Sequence, residues 1–258
     1  MNVGTLYRAT AGLQRRIVPG LEYSQDQFER DLRTAAHRAE RWLDLGCGHQ
    51  LLSAWRDDAE REIVGSCGFV VGTDYDMDSL QRHRSIRLRC RSDARALPFG
   101  DASFDLVTAN MVVEHLDDPG TQFREIARVL RPGGTFLFHT PNARSYIVGI
   151  ARLLPERLKK TLVWILERRA EEDVFPTFYR ANTPEAIAAW AATSGFVVDE
   201  VRPILSSPAL SVVPPLAALE LVWIRAMRGD RLARYRPDLV CRLRRVGDRE
   251  ATAARPAA

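Results

Sequence analysis

Three features between residues 44 and 93 have the residue types and spacing to hold a small polar ligand. The first is Gly46-Cys47-Gly48, which follows the apolar run Arg41–Leu45 directly and has Asp44 just upstream. Glycines in the turn leaving a strand let the backbone approach a ligand closely, and open α/β sheets bind ligands at that carboxyl edge. Alone, Gly-x-Gly fits a plain strand–helix turn equally well, and a dinucleotide fingerprint needs a third glycine in a stretch that here reads His49-Gln50. The second feature is Asp74, closing Val71-Gly72-Thr73-Asp74, where a carboxylate can accept from both hydroxyls of a ribose. The third is Asp93 in Ser92-Asp93-Ala94, in reach of an adenine amino group at the same edge. Each aspartate singly fits a loop cap. Three successive strand ends bearing Gly-x-Gly, Asp and Asp make a stronger signal than any one of them.

Those residues need strands and helices to hold them. Apolar runs at Arg41–Leu45, Phe69–Thr73, Phe104–Ala109 and Thr135–His139, with a weaker one at Ile86–Cys90, are bounded by Gly, Asp or Pro. Helix-period stretches lie between them, notably Gln50–Glu62, Asp76–His83 and Pro119–Leu130. Strands alternating with helices predict an α/β protein with a parallel sheet flanked by helices. Arg131-Pro132-Gly133-Gly134 reads as a helix stop and a turn into the next strand. Before it, Ser24–Ala39 reads as a helix with Phe28, Leu32 and Ala35/Ala36 on one face. Later, Thr183-Pro184-Glu185 caps a helix over Pro184–Ser194, Gly195 ends it, and Phe196–Val201 reads as a strand.

Composition fits an ordinary soluble globular protein: 258 residues, 46% hydrophobic, 27% charged. Cys47, Cys67, Cys90 and Cys241 form no Cys-x-x-Cys pair and no histidine cluster accompanies them, so neither a disulfide framework nor a metal site is expected. No signal-length apolar core occupies residues 1–20, and the expected location is cytoplasmic. The net charge of +4 is uneven: eight arginines lie between Arg225 and Arg245, against Asp230 and Asp238. Such a run fits either a solvated arginine-rich helix or a phosphate-binding face.

Taken in order, Leu43-Asp44-Leu45-Gly46-Cys47-Gly48, Gly72-Thr73-Asp74, Asp93-Ala94-Arg95-Ala96-Leu97-Pro98-Phe99, Ser103-Phe104-Asp105-Leu106-Val107, Glu114-His115-Leu116 and Leu130-Arg131-Pro132-Gly133-Gly134 resemble the class I S-adenosylmethionine-dependent methyltransferases. Within them the chain is similar to the small-molecule group typified by ubiquinone and menaquinone methyltransferases, strongly over 40–142 and loosely over 183–202. The resemblance implies a Rossmann-like, seven-stranded, mostly parallel sheet with helices on both faces, plus a lid insertion. It implies S-adenosylmethionine as cofactor: Asp44, Gly46 and Gly48 along the methionine moiety, and Asp74 on the ribose with Tyr75 or Met77 beside adenine. Asp93 and Ala94 would read the adenine edge, and Asn110 and Met111 would lie under the sulfonium, facing the acceptor. Gln50 departs from the family's usual third glycine, so it either hydrogen-bonds the cofactor carboxylate or crowds it.

Methyl transfer from a sulfonium is an in-line displacement, and a general base is needed only for a hydroxyl or carbon-acid acceptor. His115 and His139 are the candidate catalytic residues, with loop capping and core packing as their alternatives. Tyr179 and Arg180 sit in the acid-aromatic insertion. The expected parts are a helical cap over 1–40, the cofactor-binding core over 41–142, a lid or acceptor insertion over 143–182, the end of the core sheet over 183–213, and an apolar then arginine-rich helix and tail over 214–258. The stretch from Val212 to Met227 is apolar nearly all round, broken by Glu220, and too short to span a bilayer. It would pack on the core, form a homodimer, or lie in a membrane interface with arginines on headgroups, giving peripheral membrane contact through 214–245.

The expected function is methyl transfer to a small, lipid-linked or glycan-linked metabolite, with oxygen preferred. Two alternatives stand beside it: RNA methylation using the C-terminal arginines, and a non-catalytic binding subunit that kept the fold. No Asn/Asp-Pro-Pro-Tyr/Phe and no cysteine follows the fourth strand, so a DNA partner is not expected.

Overall fold

Seven strands form one sheet in the order β3-β2-β1-β4-β5-β7-β6: β1 Arg41–Leu45, β2 Phe69–Asp74, β3 Leu88–Arg91, β4 Phe104–Asn110, β5 Leu130–Pro141, β6 Phe196–Ile204 and β7 Asp238–Arg245. The computed structural model describes residues 3–153, 175–211 and 213–247. The middle of the insertion expected over 143–182 and most of the tail expected after Gly247 lie outside the described residues. The sheet is Rossmann-like and mostly parallel, with some antiparallel pairing. β1 runs parallel to β2 and β4, β2 to β3, and β4 to β5. Central strands flanked on both sides are buried nearly end to end, so β1 and β4 read as continuous apolar runs rather than alternating ones.

The helices are α1 Val3–Ile17, α2 Ser24–Ala36, α3 Asp57–Ser66, α4 Met77–Gln81, α5 Pro119–Val129, α6 Tyr146–Leu153, α7 Pro184–Thr193 and α8 Pro214–Ala226. Local chemistry sets several starts. Asp76 accepts from the Asp78 and Ser79 amides, Asp118 accepts from Thr121 N at 3.2 Å with Pro119 in the first turn, and Thr183 accepts from Ala186 N at 3.2 Å.

By contacts the chain divides into two compact units, one of Phe28–Thr140, Phe178–Arg202 and Val240–Ala258, the other of Met1–Gln27, Pro141–Thr177 and Pro203–Leu239. Phe123, Phe136, Phe138 and Phe196 meet in the core of the first, with Phe123 edge-on to the other three at 5.8–6.4 Å. In the second, Val18, Leu221, Ile224 and Met227 form a buried cluster.

Three expectations need correction. The helical period over Gln50–Glu62 does not become one helix: α3 starts only at Asp57, after a 3-10 turn at Ala54–Arg56. The buried carboxylate of Glu60 captures the amides of Leu51 (3.2 Å) and Leu52 (3.0 Å), holding that stretch as a loop. The turn at Arg131–Gly134 belongs to β5 itself, whose register against β4 slips between Phe104 and Leu106. The arginine-rich run is not one helix: it is a 3-10 segment, Asp230–Tyr235, and then β7. Leu239, Cys241 and Leu243 are buried on that strand, while Arg242 and Arg244 face Asp31 and Asp199, and Arg245 donates to the Leu130 carbonyl. Burial of Leu239, Val240, Cys241 and Leu243 in the sheet competes successfully with helix formation there.

Candidate functional site

The register of the parallel strands places Arg91, Asp74, the Leu45–Gly46 turn, Asn110 and His139 side by side along one carboxyl edge. Asp74 pairs with Arg91, Leu45 with Thr73 and Ala109, and Asn110 with His139. This is the edge at which open α/β sheets bind ligands.

At β1, the glycine loop is fixed from both sides. Cys47 N donates to Thr73 O (3.0 Å), extending the β1–β2 pairing into the turn. Gly46 and Gly48 have φ of +67° and +54°, a left-handed backbone that costs other residues about 1–2 kcal/mol. Their surroundings differ. A Cβ on Gly46 would run into the Val112 side chain, whereas a Cβ on Gly48 would meet nothing within 4 Å. Gly46 is therefore a packing glycine, and Gly48 is the one that faces open space. Burial pushes the Cys47 thiol well above its ordinary range, aided by Asp44 and Asp74, so it is no nucleophile at neutral pH.

Asp74 holds the loop. Its Oδ2 accepts from Gly48 N at 2.8 Å and its Oδ1 from Asp76 N at 2.8 Å. Each oxygen keeps a second lone-pair site, so the two hydroxyls of a ribose can still be accepted. Tyr75 follows with 61% of its surface exposed. Arg91 lies over its ring at 4.9 Å and donates to its carbonyl at 2.9 Å, which holds an aromatic platform beside Asp74. Met77 is exposed on the first turn of α4. Asp93 and Ala94 lie in the turn after β3, where Asp93 Oδ1 accepts from Arg95 N at 2.9 Å.

Asp44 is buried beneath the loop. Its carboxylate accepts from the Thr108 hydroxyl, which in turn accepts from Trp42 Nε1 at 2.6 Å. Burial raises its pKa to about 8 against the pull of the Thr108 hydroxyl, with the Glu60 and Asp74 charges adding to the rise.

Over β4 and β5 side chains replace backbone. Asn110 Nδ2 points at Leu51 O (3.4 Å), which leaves Asn110 Oδ1 to accept from His139 Nδ1 at 2.9 Å. A neutral His139 therefore carries its proton on Nδ1. Its ring is 1% exposed and stacks on Phe28 at 5.6 Å. Met111 adopts φ +57°, a strained conformation for a side-chain-bearing residue, and its amide donates to His139 O at 2.8 Å. Such strain concentrates where a ligand-facing turn is over-determined by its surroundings.

His115 has a side chain 31% exposed, with Nε2 4.0 Å from Glu114. Glu114 itself is buried: it accepts from the Thr140 hydroxyl at 2.9 Å, and Asn182 Nδ2 donates to that hydroxyl at 2.6 Å. The Glu114 carbonyl also accepts from the amides of Phe178 (2.8 Å) and Tyr179 (3.2 Å). Tyr179 has φ +52°, and Arg180 lies over the Phe178 ring at 5.4 Å while donating to Asp117 O. The segment bearing Tyr179 and Arg180 is thus tied to the carboxyl edge by Glu114. Of the Glu-His pair, sequence reasoning weighed the histidine and passed over the glutamate. It also passed over Thr108 and Glu60. No nearest-neighbour rule marks these residues, because Thr108 meets Asp44 across 64 positions, Glu114 meets Thr140 across 26, and Glu60 reaches back 8 and 9 positions to Leu52 and Leu51 and forward 25 to Ser85.

A methyltransferase domain model matches residues 43–138. A demethylmenaquinone methyltransferase of Mycobacterium sp. (strain KMS) is 31% identical over 68% of this chain and 73% of its own length. The chain belongs to the S-adenosylmethionine-dependent methyltransferases.

A malonyl-(acyl-carrier protein) O-methyltransferase of Pseudescherichia vulneris is 34% identical over 38% of each chain. The chain spans 52% and 60% of the length of two further relatives, from Mycolicibacterium smegmatis and Corynebacterium urealyticum. The crystal structure of an S-adenosylmethionine-dependent methyltransferase from Mesorhizobium loti has the same fold, with TM-score 0.53 and 21% identity over 84% of this chain and 95% of that one. The site of this methyltransferase fits S-adenosylmethionine on its own terms: an open glycine at Gly48, spare acceptor capacity on Asp74, and an exposed ring at Tyr75. Gln50, the expected departure from the family pattern, is half-buried.

Proposed function

We propose that the protein transfers a methyl group from S-adenosylmethionine to an oxygen of a small, lipid-linked or glycan-linked metabolite. The observation that carries this reading is the alignment of Asp74, Gly48, Asn110–Met111 and the Glu114-anchored Phe178–Asn182 segment along one sheet edge. Oxygen is favoured because a hydroxyl acceptor gives the half-buried His115 a role, and one relative is named as an O-methyltransferase.

The bound cofactor supplies an electrophilic methyl on a sulfonium. In this reading Asp74 takes the ribose hydroxyls, Tyr75 or Met77 packs beside adenine, Asp93 and Ala94 read its edge, and Asp44, Gly46 and Gly48 bound the methionine end. Asn110 and Met111 form the floor between donor and acceptor. His115 takes the acceptor's hydroxyl proton. His139 is a positioning residue that orients Asn110 and, through its carbonyl, Met111. Phe178, Tyr179 and Arg180 are the described end of a lid over 143–182. Holding the two reactants in line and excluding water accounts for most of the rate that such a site needs to supply.

Titration calorimetry with S-adenosylmethionine and S-adenosylhomocysteine tests the cofactor half, and absence of binding at millimolar ligand overturns it. Transfer of labelled methyl into fractionated polar, glycan and lipid pools tests the acceptor half. Label found only in protein or RNA overturns the acceptor class, and His115→Ala leaving the rate unchanged overturns the assigned base.

A further inference from the structure

Helix α8 is apolar on two faces, and among the described residues only one of them is covered. Leu221, Ile224 and Met227 form the buried cluster with Val18, Ala217 is buried too, and Glu220, the lone acid, accepts from Tyr146 OH (2.5 Å) and the amides of Ala209 (2.8 Å) and Leu210 (2.9 Å). On the other side Leu216, Leu219, Val222 and Trp223 follow one another at helical spacing and remain open to solvent, Leu219 by 69% and Val222 by 58%. An exposed contiguous apolar stripe of this kind marks a contact surface.

Charge identifies its occupant. α1 runs alongside α8 in the same direction: Thr10 Oγ1 donates to Ser211 O at 2.8 Å, Arg225 to Ile17 O at 3.4 Å, and Arg228 to Pro19 O. The two helices therefore end together. That end carries the exposed Arg15 and Arg16 of α1 and the exposed Arg225 and Arg228, with Arg231 following, while the exposed acid between 213 and 231 is Asp230 alone. A second copy of the chain laid on the stripe would bring these guanidiniums against Val213–Leu219, which carries no acid to receive them.

We propose that the stripe Leu216–Leu219–Val222–Trp223, with the arginine collar at its end, docks the protein on an anionic lipid bilayer. The apolar side chains enter the acyl boundary, Trp223 lies at headgroup depth, and the arginines meet lipid phosphates. α8 is too short to cross a bilayer, so the contact is interfacial. This gives the lipid-linked version of the proposed acceptor a surface on which to be met. It rests on that reading for its purpose, though not for its physics.

The test is co-sedimentation of the full chain with vesicles of phosphatidylglycerol mixed into phosphatidylcholine, and with phosphatidylcholine alone. The wild-type protein should partition onto the anionic vesicles, less at high salt. Leu219→Glu with Val222→Glu should weaken partition by at least about tenfold, and Arg16→Gln with Arg231→Gln by about tenfold. All variants should keep wild-type affinity for S-adenosylmethionine by calorimetry, which shows that they are folded. The proposal is overturned if the wild-type chain stays in the supernatant with anionic vesicles, or if it sediments equally with neutral ones. It is likewise overturned if light scattering finds a dimer that the Leu219→Glu, Val222→Glu variant converts to monomer. Failure of cofactor binding with vesicle binding intact would instead remove the methyltransferase reading and leave the docking surface standing.

Discussion

The β1–β2 side of the carboxyl edge and its β4–β5 side solve the same positioning problem with different materials. On the first side, backbone does the shaping: Gly46 and Gly48 take left-handed conformations, and the Asp74 and Glu60 carboxylates hold amides of Gly48, Leu51 and Leu52. On the second, side chains hold one another: Asn110 with His139, and Glu114 with Thr140 and Asn182. A backbone cradle suits a ligand of fixed shape, since every chain that binds it needs the same amides and the same clearance. A side-chain network can be rebuilt without moving the sheet, which suits the part of a site that must change with the acceptor. The methyl donor and its acceptor make those two different demands.

Several substitutions would break or sharpen this contrast. Gly46→Ala combines a left-handed backbone with collision against Val112 and should cost about 2–5 kcal/mol of folding stability, read from urea denaturation. Stability within 1 kcal/mol of wild type would mean that the loop is not packed as described. Glu114→Ala should cost about 3 kcal/mol by stranding the buried Thr140 and Asn182 groups, with cofactor affinity largely kept. If cofactor affinity collapses in that variant instead, the two sides of the edge are not separable. Asp74→Ala should weaken S-adenosylmethionine binding by about 1–3 kcal/mol, because charge-assisted bonds are lost and Gly48 is released. Unchanged calorimetric affinity would place the ribose elsewhere.

Gly48→Ala should lose about 1–2 kcal/mol of stability, because the space around it is open, yet bind the cofactor poorly. Normal binding there would show that ligand does not approach this glycine. The last effect is a slope. Asp44 has a pKa of about 8 in the fold against an unperturbed value near 3.8, so its folded form holds a proton that the unfolded chain has released. Its contribution to stability is complete below about pH 4 and is lost as pH rises through about 8. Asp44→Asn should flatten that part of the ligand-free stability–pH curve, and identical slopes in the two proteins would remove Asp44 from the titration.

Much of the first side was legible in the sequence. Asp74, the glycine loop and the caps at Asp118 and Thr183 follow short-range rules, in which a residue type and its immediate neighbours determine a turn, a cap or a carboxylate at a strand end. The parallel α/β order followed from the alternation of apolar runs with helical periods. Local rules misled where a distant partner outweighed them. Glu60 unwinds the expected start of α3 by taking two amides, and β7 claims arginines that read as helical because Leu239–Cys241 and Leu243 are buried in the sheet.

Sequence by itself therefore determined the fold class, the strand ends proposed to meet the cofactor, and the family that those strand ends signal. Only the tertiary structure decided that Gly46 packs while Gly48 opens, that Glu114 rather than His115 is the buried anchor, and that α8 keeps one apolar face uncovered. The reason is common to all three. Each depends on which side chain stands opposite in space, and neither spacing nor composition records that.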